Sequence, residues 1–166
     1  RNDHWEWRGD AVDLALLSFG HKLGWRREPT LDACPQVNEI PFESEHQYAA
    51  TFHQVDGAVR VFAKGAPERI LAMCADSGRR SEWESWALEM ARRGYRVLAL
   101  AEGPAGEGAD QAHAPPEPSG LTFLGFVGMI DPLRPGVREA IQACHDAGVG
   151  VSMVTGDHRV TAPAIA

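Results

Sequence analysis

Hydrophobic and polar positions change period repeatedly along the chain, and each change predicts a different element. From 10 to 23, DAVDLALLSFGHKL, apolar residues recur at helical spacing, with Val12, Ala15, Leu16 and Phe19 on one side. Asp10 suits an N-cap, Gly24 a stop, and Asp13 falls in the first turn, where the helix dipole favours a carboxylate. From Pro35 to Lys64 the pattern shifts to strands: Val37 to Phe42, Tyr48 to Gln54 and Ala58 to Ala63. Asp56-Gly57 between the last two is a hairpin signal, because both residues tolerate positive φ. Residues 66–75 and 80–93 return to helical spacing, the second carrying Trp83, Trp86, Leu88 and Met90 among charges and ending at Gly94. Arg96 to Ala101 reads as a buried strand that begins with an arginine. Residues 103–120 hold no period and are dense in glycine, proline and alanine, which predicts a mobile loop rather than a binding element.

From Leu121 onward the grammar differs. Leu121 to Ile130 is an apolar strand, Pro135 to Ala147 a helix, Val149 to Val154 another apolar strand, and His158 opens a further helix. Alternating strands and helices with near-continuous apolar strands predict a parallel sheet covered on both faces. Ligand sites of such sheets lie at the carboxyl ends of the strands, where this sequence places Asp131 and Thr155-Gly156-Asp157.

Composition sets bounds on partners. The chain has 166 residues, 44% hydrophobic and 23% charged, the balance of a soluble globular protein of one or two domains. A formal charge of -7 argues against nonspecific nucleic-acid binding, which needs clustered lysine and arginine. No apolar run is long enough to span a bilayer, and the polar start RNDHWEWRGD is not a signal peptide. Cys34, Cys74 and Cys144 are widely spaced and form no CxxC pair, so reduced thiols are expected rather than a zinc site or a disulfide framework. The histidines are scattered; His46 and His53 lie seven apart in a strand-rich region, which favours opposite faces over a shared metal.

Chemistry concentrates in a few short stretches. In VFAKGAPE, 61–68, a strand delivers Lys64 to its end, Gly65 permits the close approach of a planar ligand, and Pro67 suits the first turn of a helix. A strand ending in Thr155-Gly156-Asp157 and opening a helix offers a hydroxyl, a flexible amide and a helix N-terminus to a phosphoryl oxygen, although Asp157 also serves as a simple cap. Asp131-Pro132 equally initiates a turn, and an aromatic such as Phe42 before a polar stretch is more often a core anchor than a stacking platform.

Order and spacing give these pieces more meaning than each has alone. GDAVDLALL at 9–17, PFESEHQ at 41–47, KGAPE at 64–68, YRVLALA at 95–101, DPLRP at 131–135 and MVTGDH at 153–158 occur in the order seen in P-type cation-transporting ATPases, and the whole resembles the bacterial type II pumps. The resemblance implies an α+β nucleotide-binding domain at 1–125, an antiparallel sheet flanked by helices, followed at 126–166 by a partial phosphorylation domain, a Rossmann-like segment of the haloacid-dehalogenase type. By the same resemblance Phe42 stacks on adenine, Lys64 and Gly65 line its pocket, Asp13 lies near the adenine amino group and Arg96 reaches the phosphates. Thr155 and Gly156 match the loop at the transferred phosphoryl group, with Asp131 and Asp157 at the edge of that site. ATP with Mg2+ is the implied ligand. The implied partners are the phosphorylation, actuator and membrane domains of an integral membrane pump whose cytoplasmic side holds this region.

The sequence also departs from the family pattern. Ala11-Val12-Asp13 stands where Pro-Thr-Glu is usual, and Gln47, beside His46, replaces a basic residue. No DKTGT or GDGxND sequence occurs, so the nucleophilic aspartate and the main magnesium carboxylate are absent and the chain is not expected to turn over alone. The expectation is therefore a fragment that begins within the nucleotide-binding domain and stops early in the phosphorylation domain, with 126–166 incompletely supported. A stand-alone nucleotide-binding or regulatory module is the alternative. A dehalogenase-like phosphatase is disfavoured because no DxDxT pattern is present.

Overall fold

In a computed structural model, residues 10–110, 115–130, 134–152 and 154 are described. The chain opens with helix α1, Ala11–Lys22, capped as its sequence predicts: the Asp10 carboxylate accepts from the Val12 N–H at 2.8 Å. A short helix α2, Arg27–Ala33, leads into strand β1, Gln36–Ile40. Strands β2, Tyr48–Val55, and β3, Ala58–Gly65, form a hairpin in unbroken register from Val55↔Ala58 to Tyr48↔Gly65. Its turn residues Asp56 and Gly57 have φ of 49° and 82°, the doubly positive pair that matches the twist of the flanking strands. Helices α3, Pro67–Met73, and α4, Arg80–Arg92, follow, the first with Pro67 in its opening turn. Strand β4, Arg96–Pro104, strand β5, Thr122–Met129, and helix α5, Val137–Asp146, complete the elements.

The five strands make one antiparallel sheet in the order β1-β2-β3-β4-β5. The side-chain period of two then sorts residues onto its faces. Tyr48, Ala50 and Phe52 of β2, Val61, Ala63 and Gly65 of β3, and Ala99, Ala101 and Gly103 of β4 are buried on the face that packs against α3, whose Ile70, Leu71 and Met73 are buried with them. Trp83 of α4 sits 4.6 Å from the ring of Phe123, which in turn meets Phe126 at 4.8 Å. The exit of α3 is stitched to the start of β5 by Leu121 N–H to Met73 O and Ala75 N–H to Leu121 O, both 2.9 Å.

Three expectations change. The apolar run at 121–130 was expected to join a parallel sheet; it is the fifth antiparallel strand, because Phe123 and Phe126 bury against the same core as β4. Residues 149–152 and 154 form no strand, so of the strand–helix segment expected at 126–166 the helix at 135–147 is present as α5 while its parallel strands are not found among the described residues, and the helix expected from His158 lies outside them. The glycine- and proline-rich stretch is not a free loop where it is described. Ala109 is buried and its carbonyl accepts from Asn38 Nδ2 at 2.8 Å, Ala105 N–H donates to Val59 O, and Arg69 pairs with Glu117.

Gly65 is required by the chain itself. A Cβ there would stand 2.4 Å from the Gln47 carbonyl oxygen and 2.7 Å from Tyr48 Cβ. Gly65→Ala is expected to lower the unfolding free energy by about 1–3 kcal/mol, the usual cost of overpacking against backbone, and an unchanged denaturant midpoint would refute this. Burial pushes the Tyr48 hydroxyl and the Cys74 thiol above their ordinary ranges, Glu117 adding to the effect at Tyr48. Both groups are held neutral in the fold while the unfolded chain ionises them at lower pH. Their contribution is therefore complete below the ordinary thiol range and is lost as pH rises from the ordinary thiol and phenol ranges up through the raised folded-state values; urea melts at stepwise alkaline pH should show stability falling.

Candidate functional site

The face of the sheet opposite α3 carries an open groove. It has a volume of about 270 Å³ and is lined by Ala49 and Thr51 of β2, Phe62 and Lys64 of β3, Leu100 of β4 and Leu124 of β5, with the backbone regions of Ala50, Ala63 and Ala101 between them. Alternation accounts for this set. Register pairs Ala49 with Lys64, Thr51 with Phe62 and Lys64 with Leu100, so all point away from the core. A bulge between Leu100 and Ala101 brings Leu124 to the same face. The small side chains of Ala49 and Thr51 leave room that larger residues would fill.

Lys64 is the one charged side chain of this lining. Its ammonium donates to the Asp13 carboxylate, an ion pair that ties α1 to β3 at the groove. Two sequence candidates 51 positions apart are thus in contact. Further along the same face Arg60 holds Glu102 across the β3–β4 ladder, its Nε donating to Oε2 at 2.9 Å. His53 Nδ1 lies 2.9 Å from the Cys34 carbonyl. A carbonyl oxygen only accepts, so this nitrogen carries the proton. The fixed imidazole meets Phe62 in a T-shaped contact, 5.6 Å between centroids and 76° between planes, an arrangement that adds about 0.5–1.5 kcal/mol beyond area burial.

The other sequence candidates lie apart from the lining. Phe42 is 62% exposed on the segment after β1. Gln47 is exposed with a φ of 59°; its N–H donates to Glu43 O and its carbonyl accepts from Ala66 N–H, so its backbone locks the turn into β2. Gly65 is buried on the core face, where the close approach it allows is that of Gln47 and Tyr48. Arg96 begins β4, four residues before Leu100 and on the same face by alternation. Asp131, Thr155, Gly156 and Asp157 lie outside the described residues. The sequence reading did not anticipate Phe62, Thr51, Leu100 or Leu124. Phe62 was within reach of it, since a residue two before Lys64 in a strand shares its face.

Among the described residues no group of three or more histidine, cysteine, aspartate or glutamate side chains is arranged to hold a metal, and no helix is long and apolar enough to cross a membrane. The three cysteines are free thiols, Cys74 buried and Cys34 and Cys144 partly so.

Comparison with known proteins gives this geometry a family. Residues 1–136 match the family model described as P-type ATPase, cytoplasmic domain N. The chain is 42% identical over 178 aligned positions to the cation-transporting ATPase pma1 of Synechocystis sp., covering 100% of this chain and 19% of that protein. It is 36% identical to the sodium/potassium exporting P-type ATPase cta3 of Schizosaccharomyces pombe, covering 98% of this chain and 17% of that one. The chain thus spans less than a fifth of the length of these relatives.

No residue of α1 is buried, so its attachment to the sheet leans on the pair at Lys64. In Asp13→Ala the amides of α1 are expected to exchange with deuterium faster, by up to about fivefold, the factor equivalent to the upper value of about 1 kcal/mol for an exposed pair. The β2–β3 amides should keep their rates; equal α1 protection in both proteins would show that the helix is held by something else.

Proposed function

The chain belongs to the P-type ATPases, as part of their cytoplasmic N domain, and from that premise we propose that the groove beside Lys64 binds the base of ATP for phosphoryl transfer to an aspartate outside these 166 residues. The observation that carries this reading is the placement of Lys64, the one charged side chain of the lining, at the edge of an apolar groove in a chain of net charge -7. A flat heterocycle favours apolar walls, and a polyanion approaching an acidic surface needs a local positive charge to offset long-range repulsion. At about 270 Å³ the groove is close to the lower limit of about 300 Å³ for ligand pockets, a size suited to the base and part of the sugar rather than to a whole nucleotide. The phosphates then project into solvent, toward the part of the pump that receives them.

Each remaining candidate has a role in this reading. Asp13 accepts from the adenine amino group while holding the Lys64 ammonium in place. Phe42 adds a stacking surface from outside the groove, Gln47 and Gly65 shape the turn beside Lys64, and Arg96 reaches the phosphates. Asp131, Thr155, Gly156 and Asp157 contact the phosphoryl side from the start of the phosphorylation domain. Magnesium arrives bound to the phosphate oxygens, neutralising charge there, and no described residue is assigned as its ligand. In the parent protein this region is a cytoplasmic domain of an integral membrane cation pump, working with the actuator, phosphorylation and membrane domains.

Fluorescence titration of the chain with ATP tests the assignment. Lys64→Ala is expected to weaken binding by an amount equivalent to about 1.5–3 kcal/mol, the value of a charge-assisted hydrogen bond. Phe42→Ala is expected to weaken it by about 1–3 kcal/mol, as for a stacked base. Unchanged affinity in both variants would remove the groove from consideration.

A further inference from the structure

We infer that Glu117 and Arg69, on the face of the sheet away from the groove, are positioning residues for Lys64. Glu117 holds the Arg69 guanidinium over the Tyr48 ring, and that contact braces the turn from which Lys64 is presented. The inference rests on the reading of the groove as the ATP site and adds to it two residues that touch no ligand.

The turn needs support because its backbone is strained. Gln47 has a φ of 59° without being a glycine, a conformation that persists only where its surroundings hold it. Backbone contacts converge on it. Gln47 N–H donates to Glu43 O at 2.8 Å, Ala66 N–H donates to Gln47 O at 2.9 Å, and register pairs Tyr48 with Gly65, the residue after Lys64. The Ala66 carbonyl accepts from Arg69 N–H at 3.0 Å, so the first turn of α3 starts on the same few atoms.

The side chain of Arg69 then reaches back to that turn. Its guanidinium lies 5.4 Å from the centroid of the buried Tyr48 ring, and its Nη2 donates to Glu117 Oε1 at 2.5 Å. Arg69 Nε is buried and makes no hydrogen bond among the described residues, so the ring and the carboxylate are the anchors of the guanidinium. Glu117 is carried by the stretch after β4, which is fastened elsewhere by Ala105 N–H to Val59 O and by Asn38 Nδ2 to Ala109 O. The Glu117 side chain is 55% exposed and that of Arg69 34%, so the pair has the strength of a surface ion pair and its effect on the site is graded.

Calorimetric titration of the 166-residue chain with ATP reads this effect, with urea melts to confirm that each variant is folded. Glu117→Gln is expected to bind ATP about threefold more weakly, within the range that a surface ion pair supplies. The loss should vanish in Arg69→Met, which lacks the guanidinium through which Glu117 acts, and in Lys64→Ala, which lacks the group being positioned. Hydrogen exchange separates this role from a general loss of stability. In Glu117→Gln the Ala66 amide should exchange about threefold faster, by the same ion-pair equivalence, while the hairpin amides near Asp56-Gly57 keep their rates. ATP affinity equal to that of the parent in Glu117→Gln, an undiminished loss in the Lys64→Ala background, or exchange that quickens evenly along the hairpin overturns the proposal. If Lys64→Ala weakens ATP binding and Glu117→Gln does not, the groove remains the ATP site and only the role of Glu117 and Arg69 falls. If Lys64→Ala binds ATP as tightly as the parent, the reading of Lys64 as a nucleotide contact falls, and this inference with it.

Discussion

The register of the β2–β3 hairpin is the constraint on which the other features depend. Because side chains alternate across a strand, a slip of one residue would exchange the two faces of the sheet. Phe62 and Lys64 would enter the core, and Val61 and Ala63 would face solvent. The turn at Asp56-Gly57 and the close backbone contact at Gly65 fix the two ends of this ladder, so the register is pinned from both directions. The β3–β4 pairing inherits the same alignment through Ala63↔Ala101, and the groove is its consequence.

Having one face sealed is what leaves the other available. Helices α3 and α4 cover Phe52, Val61 and Phe123, and Leu121 is clamped between the end of α3 and the start of β5. Most of the apolar burial therefore lies on one side, and stability does not require the opposite face to be filled. Charged groups on that open face are neutralised in pairs, Arg60 with Glu102 and Lys64 with Asp13, which limits the electrostatic cost of crowding them on a sheet. Both members of the Lys64–Asp13 pair are partly hydrated, so the pair adds no buried charge to the face.

Features set by local chemistry were legible in the sequence. The Asp10 cap, the Asp56-Gly57 turn, Pro67 in the first turn of α3 and the helix ending before Gly94 each follow from a few neighbouring residues. Contacts between distant segments were less so. The run TFLGFVGM reads equally as a buried parallel strand or as an antiparallel strand with aromatics on one face, and only the partners of Phe123 and Phe126 decide between them. Helix α2 escaped detection because REPTLDA is too short to show a period. The tether of Ala109 to Asn38 joins a stretch without pattern to a strand 71 residues earlier. At the site, the motif identified Lys64, and its contact with Asp13 emerged only when α1 and β3 were brought together. Phe62 went unnoticed because an aromatic within a strand is ordinarily core.

The strand order of the sheet equals the order of the strands in the chain. Every strand after β1 pairs with the strand that precedes it in the chain, and the two helices α3 and α4 are inserted between β3 and β4. The sheet can therefore grow outward from its hairpin as the chain emerges, without waiting for a distant segment to close a long loop. Topologies rich in such sequential pairings fold faster than those that join remote strands. A sheet of this topology gains from that property, since its early strands can pair while its later ones are still being made.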